Sequence, residues 1–379
     1  MEASLLALLT GLAALLHLGL WGTLLSNLVF LRRAPSPASD ALPSLTVCIP
    51  ARNEADNLRR LLPSLLTQDY PDLEIVVWDD GSEDDTWAVL QSYDDPALRA
   101  ERGGDPPEGW VGKVHALYQC TRRASGACYL FLDADAELTG TDALRRLVGQ
   151  HQRSASGVST GLPRLRGAAQ LLVSLVPYSL LTGLPWPLVS RTALPALSAL
   201  NGQCWLIDAP LYHTYEPHRQ VRDAVLEDVA IGRYLKREGH PPVLCDVQDA
   251  VSVYMYADFG AAWRGFRKNA YLLLGGAPLP FVAMYGYFVL TWLIAPLLSG
   301  WFVASLYGLK FTTDRANGIS HGTTLLAPVS FLLGLALQFD SAVHHWLDRV
   351  SWKGRAVPSS QSSGAAPRPI EPTEEDPAT

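Results

Sequence analysis

Tyr129-Leu130-Phe131-Leu132-Asp133-Ala134-Asp135-Ala136-Glu137 is a short apolar run that ends abruptly in alternating carboxylates. A run of this length beside a helix-like segment predicts a buried parallel strand, and open α/β sheets bind ligands beyond the carboxyl ends of such strands. Asp133 and Asp135 therefore belong at the mouth of a sheet. Side chains two apart on an extended segment point the same way, so both carboxylates can face one divalent cation carrying phosphate oxygens. Metal-diphosphate binding is the expectation, and because Asp-x-Asp alone is a weak signal the flanking chain has to supply its context.

Toward the N-terminus, Leu45-Thr46-Val47-Cys48-Ile49-Pro50 reads as a strand, and residues 54–67 carry the apolar spacing Leu58, Leu61, Leu62, Leu65, Leu66 of an amphipathic helix. Pro50, Ala51, Asn53 and Glu54 lie in the turn between them. A second strand at 73–78 runs into Asp79-Asp80-Gly81-Ser82, which places Asp79 and Asp80 where they can accept hydrogen bonds from a base or ribose. Ser82 and Asp84 also suit helix capping. After a Gly- and Pro-rich loop at 103–110, Lys113 opens a helix at 114–123 directly behind a glycine, a placement that favours phosphate. Its spacing is not that of an NTPase phosphate loop. With a further helix at 142–152, the alternation predicts an α/β domain built on a doubly wound, mostly parallel sheet. The first turn has no Gly-x-Gly-x-x-Gly, which argues against a dinucleotide oxidoreductase.

Residues 167–190 are uncharged and apolar but broken by Pro177, Pro185 and Pro187, so an interfacial or re-entrant segment able to admit a lipid is expected, with a buried helix pair as the plainer reading. Gln203 sits in a turn entering another strand. A glycine-closed helix at 225–239 carries Glu227 and Asp228 at its N-terminal end, where the helix dipole favours negative charge and where one carboxylate can serve as general base. Trp263, Arg264, Arg267 and Lys268 form a basic and aromatic stretch suited to a membrane surface or to a diphosphate.

Residues 3–31 contain no charge and are followed at once by Arg32 and Arg33, which reads as a retained membrane helix ending in the cytoplasm. Two more apolar stretches, 271–309 and 318–339, are expected to form a hairpin around a short loop holding Lys310, Asp314 and Arg315. About three transmembrane helices result. The domain plan is a membrane helix at 1–33, a linker at 34–44, a cytosolic domain at 45–275 with the apolar segment 167–190, a hairpin at 276–345, and a disordered tail at 354–379. The 379 residues are 48% hydrophobic with a net charge of −7, which argues against nucleic-acid binding. The five cysteines contain no Cys-x-x-Cys pair and read as reduced core residues, neither a disulfide frame nor a zinc site.

Taken together, Ile49-Pro50-Ala51-Arg52-Asn53-Glu54, Asp79-Asp80-Gly81-Ser82, Gly109-Trp110-Val111-Gly112-Lys113, Asp133-Ala134-Asp135, Glu227-Asp228 and Trp263-Arg264-Gly265-Phe266-Arg267-Lys268-Asn269 resemble, over about residues 45–275, the inverting family 2 glycosyltransferases of GT-A fold. Within them the chain is similar to membrane-anchored enzymes that glycosylate hopanoids, carotenoids and sphingolipids. The resemblance implies that Pro50, Ala51, Asn53, Glu54, Asp79, Asp80, Lys113, Asp133 and Ala134 hold a nucleotide-sugar, with a UDP-sugar as donor. It implies that Asp135 and Asp133 bind Mg²⁺ or Mn²⁺, and that Asp228, with Glu227, acts on an acceptor hydroxyl in one inverting displacement. Gln203, Trp263, Arg264, Arg267 and Lys268 are phosphate or acceptor candidates. The implied partners are a UDP-sugar, a lipid acceptor such as a carotenoid or hopanoid, and the cytoplasmic membrane, in which the protein is multi-pass with its catalytic domain facing the cytoplasm.

Two departures stand out. Tyr215-Glu216-Pro217-His218 occupies the place of a Gly-Gly-His type turn, and Gln-x-x-Arg-Trp, the mark of processive synthases, is absent. Single transfer to a lipid is therefore the leading reading, with transfer to a polyprenyl phosphate or polysaccharide as the alternative and a non-catalytic membrane scaffold behind both. An aspartyl-phosphate phosphatase would need Thr or Val where Glu137 stands.

Overall fold

The structure, a computed structural model, describes residues 2–31, 42–352 and 355–356. Arg32, Arg33, most of the expected linker at 34–44 and nearly all of the expected tail at 354–379 lie outside those residues. In chain order the elements begin α1 (Glu2–Leu31), β1 (Leu45–Ala51), α2 (Ala55–Leu66), β2 (Leu73–Asp80), α3 (Thr86–Gln91), β3 (Leu98–Gly103), α4 (Gly112–Thr121), β4 (Cys128–Leu132), β5 (Ala136–Leu138) and α5 (Ala143–His151). They continue with β6 (Val158–Leu162), β7 (Arg164–Arg166), α6 (Gln170–Val173), α7 (Leu175–Gly183), α8 (Trp186–Val189), β8 (Cys204–Asp208), α9 (Ala209–Tyr215), α10 (Pro217–Gln220), α11 (Glu227–Arg237), β9 (Val243–Asp246) and β10 (Val251–Tyr254). The C-terminal part holds α12 (Phe259–Leu273), α13 (Pro278–Phe288), a π-helical segment (Val289–Ile294), α14 (Ala295–Leu298), α15 (Gly300–Ala316), α16 (His321–Leu325) and α17 (Ala327–Trp346).

Period-two burial explains the central sheet. On β1, Val47 and Ile49 enter one core with Ile75, Val77, Leu130 and the helix residues Leu58 and Leu62, while Cys48 enters a second core with Val76, Phe131 and Leu117. Apolar side chains on both faces leave these strands nowhere to lie except between two helical layers. The sheet order is β3-β2-β1-β4-β8-β6-β9. Strands β1 through β4 are mutually parallel neighbours, as are β6 and β9. The sheet is mostly parallel, as expected, and only β8 runs antiparallel to its neighbours, β4 and β6. It follows the long apolar excursion through α6–α8, not a crossover helix, so the rule that returns a strand in parallel does not act on it. The last two strands of the domain part company, β9 closing the large sheet and β10 pairing with β5 and β7 in a second sheet of three strands.

Among the described residues, two helical stretches are long and apolar enough to cross a bilayer, Glu2–Leu31 and Pro278–Leu298. Their apolar side chains point outward: Leu8 is 68% exposed and Leu279 81%. The hairpin is partitioned differently from expectation. Lys310 and Asp314 are not in a loop but one turn apart on α15, fully buried, with Lys310 Nζ 2.5 Å from Asp314 Oδ1 and Thr324 Oγ1 donating to Asp314 Oδ2 at 2.7 Å. An i,i+4 pair that satisfies its own charge lets a helix continue through buried surroundings where isolated charges would end it.

The apolar segment 167–190 becomes α6, α7 and α8, and α7 packs against α1, α15 and α17. The break at Pro185 is stitched by one side chain from α1. Asn27 Nδ2 donates to the carbonyls of Leu181 (2.8 Å) and Leu184 (2.7 Å), and its Oδ1 accepts from the Trp186 amide at 2.8 Å. A buried helix break needs partners of this kind for the backbone groups it frees.

Candidate active site

The carboxyl ends of β1, β2 and β4 meet over one cavity of 1490 Å³ that runs from Asn53 and Asp80 at its polar end to Phe288 and Trp292 at its apolar end. The polar end is locally built. Asn53 adopts φ +54°, a left-handed conformation that asparagine tolerates. Its amide donates to Ser82 Oγ at 2.9 Å and its Oδ1 accepts from the Glu83 amide at 2.8 Å. The Glu54 amide donates to Thr86 Oγ1 at 2.8 Å, so the turns after β1 and β2 are laced together. Arg52 reaches across as well, donating from Nη1 to the Asp80 carbonyl at 2.6 Å.

Of the nucleotide-site candidates, Pro50, Ala51, Asn53, Glu54, Asp80, Lys113, Asp133 and Ala134 line the cavity. Asp79 does not, and here the expectation is corrected. Its side chain is fully buried, accepting from the Ser82 amide at 2.8 Å and pairing with Arg102 Nε at 3.3 Å. The side-chain alternation along β2 turns Asp79 and Asp80 to opposite faces.

Lys113, at the first turn of α4, ties together the carboxylates at one side of the cavity. Its Nζ lies 2.8 Å from Asp133 Oδ1 and 2.9 Å from Glu227 Oε1, joining the end of β4 to the start of α11. Burial works against its charge, but the two carboxylates prevail and raise its pKa. Burial likewise opposes ionisation of Glu227, and Lys113 with Lys268 overrides it and lowers that pKa. Asp228 differs. Burial and the neighbouring Glu227 charge push its pKa up to about 6, against the pull of Lys113 and of two amide donors, Gly202 at 3.2 Å and Val229 at 2.7 Å. The helix that presents both acids therefore gives them different tasks. Glu227 is a fixed anion, and Asp228 is poised to take up a proton near neutral pH.

The metal-ligand candidates Asp133 and Asp135 both line the cavity, as do Glu227 and Asp228. Lys113 and Lys268 act on Asp133, Glu227 and Asp228, and hard oxygen donors such as these carboxylates fit Mg²⁺ or Mn²⁺. The basic stretch of α12 is sorted by the structure. Lys268 lines the cavity, with a pKa lowered by burial, and Gln203 lines it too. Trp263, Arg264 and Arg267 are not among the lining residues. Trp263 Nε1 donates to Asp340 Oδ2 at 2.8 Å, and Arg267 lies 3.7 Å from the same carboxylate, so these two tie α12 to α17.

Some residues escaped the sequence reading. The Gly202 amide that holds Asp228 has no side-chain signature, although a glycine in a turn beside a strand is the available hint. His218 lies fully buried among Phe131, Trp205 and Tyr212, with burial lowering its pKa to about 3, so the Tyr215-Glu216-Pro217-His218 segment packs beneath the sheet. At the opposite end of β4, the ligand atoms of Cys128, His151 and Asp208 lie within 4.8 Å of one another, a grouping that cysteine spacing does not reveal. His151 already bonds Ser159 Oγ at 2.8 Å and Asp208 Oδ1 at 3.1 Å there.

Residues 46–172 match the model of the Glycosyl transferase family 2 family. A 4,4'-diaponeurosporenoate glycosyltransferase of Staphylococcus aureus (strain bovine RF122 / ET3-1) is 26% identical over 272 residues, covering 68% of this chain and 67% of the relative. A protein of the same name from strain USA300 is 27% identical over 249 residues, covering 62% of each chain. Among solved structures, a mannosyltransferase from Pyrobaculum calidifontis in complex with GDP-Man and Mn²⁺ superposes with a TM-score of 0.55 at 22% identity, covering 90% of this chain and 99% of that one, which places the two in one fold. The chain carries a Glycosyl transferase family 2 domain and resembles the carotenoid glycosyltransferases.

Proposed function

We propose that this enzyme transfers a single sugar from a nucleotide-diphosphate donor, a UDP-sugar first among them, to the hydroxyl of a membrane lipid such as a carotenoid or hopanoid. The observation that carries this reading is the continuity of one cavity from the carboxylates Asp133, Asp135 and Asp228 to an apolar chamber lined by Leu175, Leu180, Phe288 and Trp292. A water-soluble acceptor has no use for such a chamber, whereas a long apolar molecule gains about 25 cal/mol per Å² buried in it. The relatives named for 4,4'-diaponeurosporenoate support a long apolar acceptor, and the GDP-Man and Mn²⁺ bound by the Pyrobaculum neighbour support the donor class and the metal.

In this reading Asp135, with Asp133, holds Mg²⁺ or Mn²⁺, which supplies positive charge to the departing diphosphate. Asp228, oriented by the Gly202 and Val229 amides, takes the proton of the acceptor hydroxyl as its oxygen forms the new bond to the anomeric carbon and the carbon–phosphate oxygen bond breaks on the opposite side. The configuration inverts. Lys113 holds Asp133 and Glu227 in register so that donor and base face each other. The unit at 45–275 is the catalytic part, with α1 and the helices of 276–345 anchoring a multi-pass protein whose active site faces the cytoplasm, the side marked by Arg32 and Arg33.

The test is transfer of radiolabelled sugar from UDP-glucose into lipid extract by membranes containing the protein, with and without EDTA, beside the Asp228→Asn variant. Label in a lipid band that requires metal and disappears in the variant supports the reading. Absence of label with UDP- and GDP-sugars, across neutral lipids and polyprenyl phosphates, would remove it.

A further inference from the structure

Part of the apolar chamber wall stands on a π-helical turn. Phe288 closes α13, Trp292 lies in the π-helical segment Val289–Ile294, and both line the chamber. Their ring centroids are 4.5 Å apart, and Trp292 also meets Tyr178 at 6.0 Å and Phe331 at 4.9 Å. A π turn takes in one residue more than an α turn. Straightening it would rotate one flank against the other by about 100° and carry Phe288 or Trp292 off the wall.

Opening this turn strands a carbonyl. The Ala295 amide donates to the Leu290 carbonyl, five residues back. The Thr291 carbonyl thereby loses the donor that an α-helix would give it, and the donor that a π-helix would give it falls at Pro296, which has no N–H. His17 of α1 fills the gap. It is fully buried, with Nε2 3.3 Å from the Thr291 carbonyl oxygen and Nδ1 2.9 Å from Ser305 Oγ, which in turn accepts from Trp21 Nε1 at 2.9 Å. With a neutral ring one assignment of protons satisfies this chain: Nε2 donates to Thr291, Nδ1 accepts from the Ser305 hydroxyl, and the Ser305 oxygen accepts from Trp21. A buried carbonyl without a donor destabilises the conformation that contains it, so the turn depends on the imidazole.

We infer that His17 is a positioning residue for the acceptor chamber: by taking up the carbonyl that Pro296 leaves without a helical partner, it holds the π turn open and keeps Phe288 and Trp292 on the chamber wall. His17 is not among the residues lining the cavity, so it acts through Thr291 and not on the lipid itself. This rests on the lipid-transfer reading above, in which the chamber receives the acceptor.

The test reads lipid binding and donor-end binding on the same preparations. Full-length protein in detergent is titrated with all-trans-retinol, a fluorescent polyene alcohol, and separately with UDP and Mn²⁺. The proteins compared are wild type, His17→Leu, His17→Gln, Pro296→Ala and the double variant His17→Leu/Pro296→Ala. The expected result is that His17→Leu binds retinol about tenfold more weakly, the effect of one buried carbonyl left without its donor, while its affinity for UDP with Mn²⁺ stays at the wild-type value. Glutamine offers a donor to Thr291 and an acceptor to Ser305, so His17→Gln binds retinol close to wild type. Pro296→Ala restores a backbone N–H, so the His17→Leu change made in that background weakens retinol binding far less, a coupling that the double-mutant cycle measures. Wild-type retinol affinity in His17→Leu overturns the inference. So does a joint loss of retinol and UDP binding, which would make His17 a residue of general stability, and so does a loss that neither His17→Gln nor Pro296→Ala relieves. Wild type that takes up no retinol sinks the lipid chamber and the inference with it. The expected binding pattern without sugar transfer to any lipid would sink the transfer reading and leave the role of His17 standing.

Discussion

The two ends of the cavity are made by different means. At the donor end polar side chains are tied to one another or to the backbone: Asn53 to Ser82 and Glu83, Lys113 to Asp133 and Glu227, Asp228 to the Gly202 and Val229 amides. At the apolar end the walls are helix faces whose spacing is set by small residues, with Gly183 opening onto empty space and Gly334 lying against Leu175 and Trp292. The first end is rigid before a ligand arrives, as electrostatic catalysis requires. The second is defined by shape, so it can be retuned without disturbing the chemistry. That contrast orders the expected effects of mutation.

The largest belongs to Asp228. Replacing it with Asn should lower kcat by about 10²–10⁴, the usual contribution of a positioned general base, with the donor KM unchanged. In wild type, kcat/KM should rise with pH and level off above about 6, as Asp228 ionises in the field of Glu227, Lys113 and Lys268. The sign for stability is opposite. A carboxyl whose folded pKa is raised from 3.8 to about 6 adds stability that is fully present below its unfolded value and lost as pH rises through the folded one. Asp228→Asn should therefore melt above wild type at pH 8 and with it at pH 4, a difference that thermal scans at the two pH values measure. A variant that is inactive and also less stable at pH 8 would make Asp228 a structural residue and erase the contrast.

Metal removal comes next. EDTA should abolish transfer and added Mn²⁺ or Mg²⁺ restore it, while Asp135→Ala should need far more metal to reach half-maximal rate. Retained activity in EDTA would mean that the lysines alone stabilise the leaving group.

A third comparison lies inside the donor end. Asp80→Asn should raise the donor KM several-fold with little change in melting temperature. Asp79→Asn should do the reverse, because Asp79 is buried on the far side of β2 and holds Ser82 and Arg102; loss of such a buried charge-assisted contact costs about 1.5–3 kcal/mol. Donor titration and thermal melts on the same preparations separate the two.

The sequence and the structure agree where local patterning decides. The runs ending in Pro50, Asp80 and Asp133 are strands because both faces of each are apolar, and the helices expected at 54–67, 114–123 and 142–152 start within two residues of expectation at Ala55, Gly112 and Ala143. What was not legible depends on contacts distant in sequence. The antiparallel β8 follows the α6–α8 excursion, in which α7 and α8 pack on α1, and no residue in 201–207 encodes it. Asp79 and Asp80 are equivalent as letters, and only the pleat of β2 assigns one to the cleft and the other to the core. Lys310 and Asp314 read as loop charges because their mutual neutralisation appears only once α15 is formed. The basic stretch on α12 reads as a single surface, whereas Asp340 on α17 takes two of its members.

The smallest expected effect tests the apolar end by shape alone. A Cβ added at Gly183 meets no atom of a neighbouring element within 4 Å, and Gly183 lines the cavity, so Gly183→Leu should extend into the chamber and narrow it. The acceptor KM should rise about tenfold for long-chain lipids and less for short ones, with kcat, donor KM and melting temperature near wild type. Gly334→Ala is the matching control. A methyl group there meets Leu175 Cδ1 at 2.8 Å and Trp292 Cζ3 at 3.1 Å, so it should cost about 1–3 kcal/mol of stability by overpacking. If Gly183→Leu instead changes the donor KM and leaves chain-length preference alone, the apolar end is not where the acceptor lies, and the division of the cavity into a rigid donor end and a tunable acceptor end fails with it.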